Sequence, residues 1–346
     1  MLTSKDVKEF AKKAGADLVG MASMDRFEGA PKQMDPRYIF PGAKTLIALA
    51  FRIPRGTLRG IEEGTYFINY STMGYAHING IQIPTTLRAV TNFLEDQGWE
   101  AVPITMENHF AAISDGDGKL YNRPTVAVSP DKPVPDVMIH FRIAAVAAGL
   151  GEIGHSNLLL TPEFGPRQRV AFILTDAPLE PDPLYEGKLC DHCMRCVKDC
   201  GGKAISAKET VEVNVAGKKC KWGKLNCASC SIAYCGGVHE VSPFLPPDKS
   251  FDLNKECKSR SGDGRPDLRQ QLPFADATLS SFHHWPAIEG ARGCIRACMD
   301  HLEKEDRLTR KFHTPFRTKP VWKLMRKTEK PKENEDGTDE YKYSHY

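Results

Sequence analysis

Eight cysteines fall between Cys190 and Cys235 of a chain that holds eleven in 346 residues. The first group runs Cys190-x2-Cys193-x2-Cys196-x3-Cys200. Three thiolates at this spacing on a short loop can wrap three corners of a 4Fe–4S cube, while the loop amides hydrogen-bond the sulfides. The fourth cysteine then opens a helix and reaches a different cube. The usual proline after it is replaced by Gly201, which also turns the chain.

The second group, Cys220-x6-Cys227-x2-Cys230-x4-Cys235, is less regular but completes the ligand count. Interleaving, as in two-cluster ferredoxins, assigns Cys190, Cys193, Cys196 and Cys235 to one cluster and Cys200, Cys220, Cys227 and Cys230 to the other. Two zinc sites are the rival reading, because Cys-x2-Cys pairs bind zinc. Three cysteines two residues apart with a fourth after three more suit a cubane better than a tetrahedral ion. Cys257, Cys294 and Cys298 remain, the last two one helical turn apart. Buried thiols, a substitute ligand and a third metal site are all open for them.

Gly149-Leu-Gly151-Glu-Ile-Gly154 matches GxGxxG, which binds dinucleotides when a strand precedes it and a helix follows. Here an Ala-rich, helix-favouring run precedes it, and His155-Ser-Asn-Leu-Leu-Leu-Thr-Pro does not start a helix. The glycines fit a close approach to a flat cofactor, or a tight helix-to-loop turn. Tyr66, Tyr70 and Tyr75, with Asn69 and His77, form an aromatic run that suits either a substrate pocket or a packed loop.

The elements that must position these residues are legible in the hydrophobic pattern. Thr3–Ala14 reads as a helix opened by a Thr3/Asp6 capping box, with Val7, Phe10, Ala11 and Ala14 on one face. Buried strands are predicted at 17–22, 45–53, 101–104 and 168–175, and helices at 84–97, 139–148 and 290–305. Strands alternate with helices over the first 180 residues, which reads as an α/β or α+β domain. Pro178–Tyr185 is Pro-rich and acidic, as in a linker. Residues 303–332 carry eleven Lys/Arg against four acids, and residues 333–346 one Lys against five acids. That bias suits a solvated tail or an arm that docks an acidic electron donor.

Composition bounds the rest. With 47 Lys+Arg against 44 Asp+Glu, the net charge of +3 argues against generic nucleic-acid binding. At roughly 3% cysteine the chain is no disulfide scaffold. The first residues show no apolar signal region or twin arginine, and no stretch approaches the ~18 apolar residues of a membrane span. The expectation is a cytoplasmic protein whose clustered cysteines bind metal.

The run Ala148-Gly-Leu-Gly-Glu-Ile-Gly-His-Ser-Asn-Leu-Leu-Leu-Thr-Pro-Glu-Phe-Gly-Pro-Arg167, followed by a strand and both cysteine groups, resembles the cobalamin-dependent epoxyqueuosine reductases. It is similar also to the catalytic part of reductive dehalogenases. The resemblance covers residues 1–240. It implies an α+β fold: a nitroreductase-like corrinoid-binding domain (1–180), then a ferredoxin-like domain with two 4Fe–4S clusters (181–245). A C-terminal extension (246–310) and a charged tail (311–346) follow.

The resemblance also implies base-off cobalamin, held at Gly149, Gly151, Gly154, His155, Ser156 and Asn157 and reduced through the clusters. The absence of an Asp-x-His-x-x-Gly corrinoid motif agrees with this. The proton donor would be an acid just before the glycine segment, which falls at Asp136; His140, one turn beyond, is a second candidate. A ferredoxin or flavodoxin would supply electrons, and a small molecule or a corrinoid protein would receive them. An electron-transfer or corrinoid-reactivating protein, and a flavin-binding reductase, are the alternatives. The helical-repeat extension of many epoxyqueuosine reductases is missing, as is the twin-arginine signal of respiratory dehalogenases.

Overall fold

In the computed structural model, residues 2–105, 126–245 and 287–324 are described. Cys257 and parts of the extension and tail lie outside the described residues. The first helix, α1 (Ser4–Lys13), carries the predicted capping box: Thr3 accepts from the Asp6 amide, and Asp6 accepts from that of Thr3. A four-stranded sheet follows, built from β1 (Leu18–Ser23), β2 (Thr45–Arg52), β3 (Ala101–Ile104) and β6 (Gln168–Thr175) in the order β1-β2-β6-β3. Every pairing in it is antiparallel. The alternation of helices and strands therefore does not build parallel crossovers, and the mixed helix–strand domain is of the α+β kind.

Both central strands are buried on both faces, which explains their unbroken apolar runs. Ile47, Leu49, Phe51, Ala171 and Ile173 face one core with α1 and α3 (Ile83–Asp96). Leu46, Ala48, Ala50, Phe172 and Leu174 face a second core with α4 (Phe141–Ala147). Between β2 and α3 lie the short α2 (Arg59–Glu63) and two π-helical stretches, Tyr70–Ala76 and Ile78–Gln82. Such wide turns often mark functional positions. After α4 comes a small antiparallel pair, β4 (Glu152–Ile153) and β5 (Leu159–Leu160).

The cysteine-rich part begins with a loop and the short α5 (Arg195–Lys198). A long hairpin then intervenes, β7 (Ile205–Val215) and β8 (Lys218–Leu225). Its Val211/Val213/Val215 alternation and its Ala216-Gly217 turn, both at positive φ, are readable in sequence, although only the helices and the first sheet were predicted. Helix α6 (Cys227–Tyr234) and, after the undescribed residues, α7 (Cys294–Lys304) complete this part. Helix α7 does not stand apart: its Ile295 and Met299, with Ala291 just before it, join the first core together with Phe316 of the strap that follows.

An ion network holds α7 in place. Glu62 on α2 accepts from Arg296 Nε at 2.8 Å and from Arg317 Nε at 2.5 Å. Burial pushes the Glu62 carboxyl up, but the Arg317 hydrogen bond and both guanidinium charges outweigh it and hold the carboxyl below its usual range. The strap is pinned to the same helix by the Trp322 indole N–H, which donates to the Ile61 carbonyl at 2.9 Å.

Candidate functional site

The glycine segment positions the first cysteine loop. Glu152 Oε1 accepts from the amides of Leu189 at 2.7 Å and Cys190 at 2.5 Å. His192 and Met194, on either side of Cys193, both sit at φ 58°. These left-handed residues curl the loop tightly around Cys193, whose amide donates to Asp191 Oδ1 at 3.2 Å. The His155 amide donates to Cys190 Sγ at 3.3 Å, and the Ala204 amide to Cys200 Sγ at 3.3 Å. Amide bonds to sulfur favour the thiolate and tune a cluster's potential.

Cys190, Cys193 and Cys196 line a small, open-sided recess with Gly154, His155 and Ser156. The fourth thiol there is Cys298 of α7. Burial, then the charges of Cys190 and Cys193, pushes the Cys196 thiol up to about 11. Cys298 is raised well above the ordinary thiol range by burial and then by Cys190, Cys196 and Cys193. Crowded thiols of this kind release their protons when a metal centre takes them up.

Cys294, one turn earlier on α7, sits beside Cys230, Cys200 and Cys196, and burial followed by these neighbours pushes its thiol up to about 12. Cys227 and Cys230 are one turn apart on α6. One of the eight expected ligands stands elsewhere. Cys220 points into the second core from β8, where its charged neighbours are Lys218 and Glu152 and not cysteines. Cys235 caps α6 and packs with Ile232 and Val238. Cys294 and Cys298 adjoin the other cysteines instead. The signal for them was present, a Cys-x3-Cys pair on a predicted amphipathic helix, but only folding carries that helix back to the first loop.

One mixed grouping adjoins the recess. Asp191, Cys193 and His301 bring ligand atoms within 4.8 Å of one another. Its two non-sulfur members already engage each other, His301 Nε2 lying 2.8 Å from Asp191 Oδ2, which Arg307 also contacts at 3.1 Å.

The glycines are explained by chain packing. Gly149 ends α4 at φ +77°, where its amide and that of Leu150 cap the Val146 and Ala145 carbonyls. A Cβ on Gly151 would lie 1.9 Å from the Leu160 carbonyl oxygen, and one on Gly154 would press on the Leu160 side chain. The space beside all three is thus filled by protein and does not require a cofactor. His155 is buried with Nε2 2.9 Å from the Ser206 carbonyl, and Ser156 and Asn157 are buried beside it. Asn157 Oδ1 has no hydrogen-bond partner among the described residues. A buried oxygen left unpaired is costly and fits a polar ligand at this wall.

The proposed acid–base residues stand as follows. Asp136 is exposed, in a loop held by Gln33, whose Nε2 donates to the Asp136 carbonyl at 2.9 Å. The carboxyl is therefore not enclosed by protein. His140 is the N-cap of α4: its Nδ1 accepts from the Ile143 amide at 3.3 Å. The aromatic run is resolved more sharply. Tyr66 is exposed, whereas Tyr70 is 1% exposed and its hydroxyl accepts from Arg169 of β6 at 3.0 Å. Arg169 also lies over the Tyr75 ring at 3.9 Å, and Tyr75 packs edge-on against Tyr234 of α6. Burial raises the Tyr70 hydroxyl's pKa, opposed by Arg169. Cys294 adds to the upward push, so the tyrosine cluster adjoins the second thiol group.

Together these features define a mixed helix–strand protein with two adjacent groups of converging thiols beside a buried tyrosine–arginine pair. No known family model matches the chain. Its homologues are reductive dehalogenases and epoxyqueuosine reductases. It is 44% identical over 72 residues to a tetrachloroethene reductive dehalogenase of Desulfitobacterium hafniense, a match covering 20% of this chain and 13% of the relative. It is 35% identical over 112 residues to that of Sulfurospirillum multivorans, covering 29% and 22%. An epoxyqueuosine reductase of Cyclobacterium marinum is 25% identical over 190 residues, covering 55% and 50%. The chain thus spans half or less of the length of these relatives. Among solved structures, the reductive dehalogenase NpRdhA aligns with 86% of this chain and 36% of its own, at 18% identity and a TM-score of 0.47. Epoxyqueuosine reductase of Streptococcus thermophilus aligns over 87% and 80%, at 17% identity and a TM-score of 0.47. No helix among the described residues is long and apolar enough to cross a membrane.

Proposed function

We propose that this chain is an iron–sulfur, corrinoid-dependent reductase that takes electrons from a low-potential carrier and reduces a small substrate. The observation that carries the reading is the convergence of Cys298 on Cys190, Cys193 and Cys196, beside Cys294 on Cys200 and Cys230. In this reading Cys190, Cys193, Cys196 and Cys298 hold one 4Fe–4S cluster, and Cys200, Cys227, Cys230 and Cys294 hold the other. Cys220 and Cys235 are structural. The two amide–sulfur bonds support the assignment.

The clusters supply one-electron transfer and a base-off corrinoid supplies a strongly reducing metal centre. Ser156 and Asn157 are the residues of the glycine segment suited to hold the corrinoid through their polar side chains. Tyr70 keeps its proton at neutral pH because burial disfavours the phenolate, and Arg169 fixes the hydroxyl's direction and favours the anion left after proton transfer. That pair takes the role the sequence offered to Asp136 and His140. A reducing compartment keeps the cysteines available as ligands.

Iron, sulfide, zinc and cobalt counts on anaerobically purified protein test this. About eight irons per chain are expected. Cys298→Ala and Cys294→Ala should each lower the count to about half, while Cys220→Ala keeps it. Zinc without iron, or iron lost with Cys220→Ala and kept with Cys298→Ala, refutes the ligand assignment. Absence of a base-off cobalamin spectrum at micromolar protein refutes the corrinoid half.

A further inference from the structure

Around the first thiol group the exposed charges are mostly basic. Cys193 is exposed. Of the aspartates at the loop, Asp300 is 2% exposed, Asp199 25% and Asp191 27%. Of the bases that pair with Asp300 and Asp191, Arg195 is 44% exposed, Lys304 42% and Arg307 30%, whereas Arg317 and His301 stay inside. Lys188 and Lys198, on either side of the loop, are exposed as well. On the strap after α7, Arg310 and Lys311 are exposed, and so is much of the Phe312 ring, which lies under Arg55 at 3.6 Å. Exposed acids are fewer: Glu186, Glu305 and Asp306, the last paired with Lys311.

We propose that this face is the docking surface for an acidic one-electron-carrier protein, which approaches closest at the Cys193 corner. The inference rests on the reading that the first thiol group holds a cluster. Electron transfer weakens steeply with distance, so a carrier must sit where a cluster ligand reaches the surface. Because Asp300 is buried and its partners Arg195 and Lys304 are exposed, the carrier meets the positive ends of these pairs. Charges in that arrangement act mainly on encounter rate and orientation, and they are screened by salt. Phe312 offers an apolar contact at the edge of the patch, a type enriched at protein interfaces.

The test uses the full chain, anaerobically reconstituted, and an acidic 2Fe–2S ferredoxin as the carrier, reduced chemically beforehand. Cluster reduction is followed by stopped-flow absorbance, in parallel with titanium(III) citrate, a small reductant that needs no protein docking. Arg195→Glu/Lys198→Glu reverses two exposed charges on α5, and Lys5→Glu/Lys12→Glu on α1 is the control. The ferredoxin rate constant should fall with added salt, and the α5 variant should lower it about tenfold at low ionic strength. The control variant should keep it within about twofold, and the citrate rate should not change in any protein. Should the α5 variant lose iron, Lys188→Glu/Lys311→Glu must give the same tenfold loss.

A ferredoxin rate unaffected by the reversals, insensitive to salt, or equally reduced by the control overturns the proposal. A protein that binds no iron, or whose clusters neither reductant reduces, overturns the cluster reading and the docking face with it.

Discussion

Glu62→Gln tests whether the ion network on α7 is what brings Cys294 and Cys298 to the two thiol groups. The carboxylate is nearly enclosed, and it serves Arg296, 2% exposed, and Arg317 together. Removing one partner of a buried pair costs about 3–5 kcal/mol, because the remaining charge stays desolvated. Gln keeps an acceptor oxygen, which points to the lower end, about 3 kcal/mol. At ~2.1 cal/mol/K per residue, 346 residues give an unfolding entropy near 0.7 kcal/mol/K and a Tm lowered by about 4 °C.

The pH dependence has a defined sign. The folded carboxyl lies below its unfolded value of 4.5, so its contribution is complete above that value and is lost as the pH falls through the folded one. Glu62→Gln should therefore flatten the acid limb of the stability curve and leave the slope above pH 5 unchanged. Scanning calorimetry under anaerobic conditions reads the Tm, and iron content after mild warming reads the hold on the clusters. A variant with unchanged Tm, unchanged acid limb and full iron shows that the network does not secure α7.

Three further outcomes are expected. Gly151→Ala should destabilise the chain by about 2 kcal/mol or more even without cofactors, because its Cβ meets a backbone carbonyl that has nowhere to move; a melt of the metal-free protein checks it. A loss of corrinoid binding with unchanged stability would instead return the glycines to a cofactor role. Tyr70→Phe should lower substrate turnover by about 10²-fold or more with little change in iron content, while Asp136→Asn stays near wild type. His140→Ala should cost about 1 kcal/mol of stability through the lost helix cap, with the pH–rate profile unmoved.

The secondary structure was largely legible because its signals are local. The Thr3/Asp6 box, the doubly buried run Thr45–Arg52 and the strand Gln168–Thr175 announce themselves through capping chemistry and apolar period. The hairpin Ile205–Leu225 was equally local in its signals, yet it lay inside a segment read only for its cysteines. The π-helical stretches carry no such pattern, since a wide turn reflects how a helix packs and not which residues favour it.

The sequence by itself determined the first cysteine loop: Cys190, Cys193 and Cys196 are close neighbours on the chain, and spacing alone limits what they can wrap. The fourth member of each thiol group was decided only in three dimensions. Cys294 and Cys298 reach the loop because α7 buries Ile295 and Met299 in the first core and locks Arg296 onto Glu62. Cys220 is kept away by strand alternation, which turns it into the second core with Trp222. The same holds for proton chemistry. Tyr70 and Arg169 are 99 residues apart in sequence and share a hydrogen bond only because a helix is packed on the sheet that carries Arg169. Contacts within a few residues follow from local geometry; contacts across the chain exist only once burial has brought the elements together.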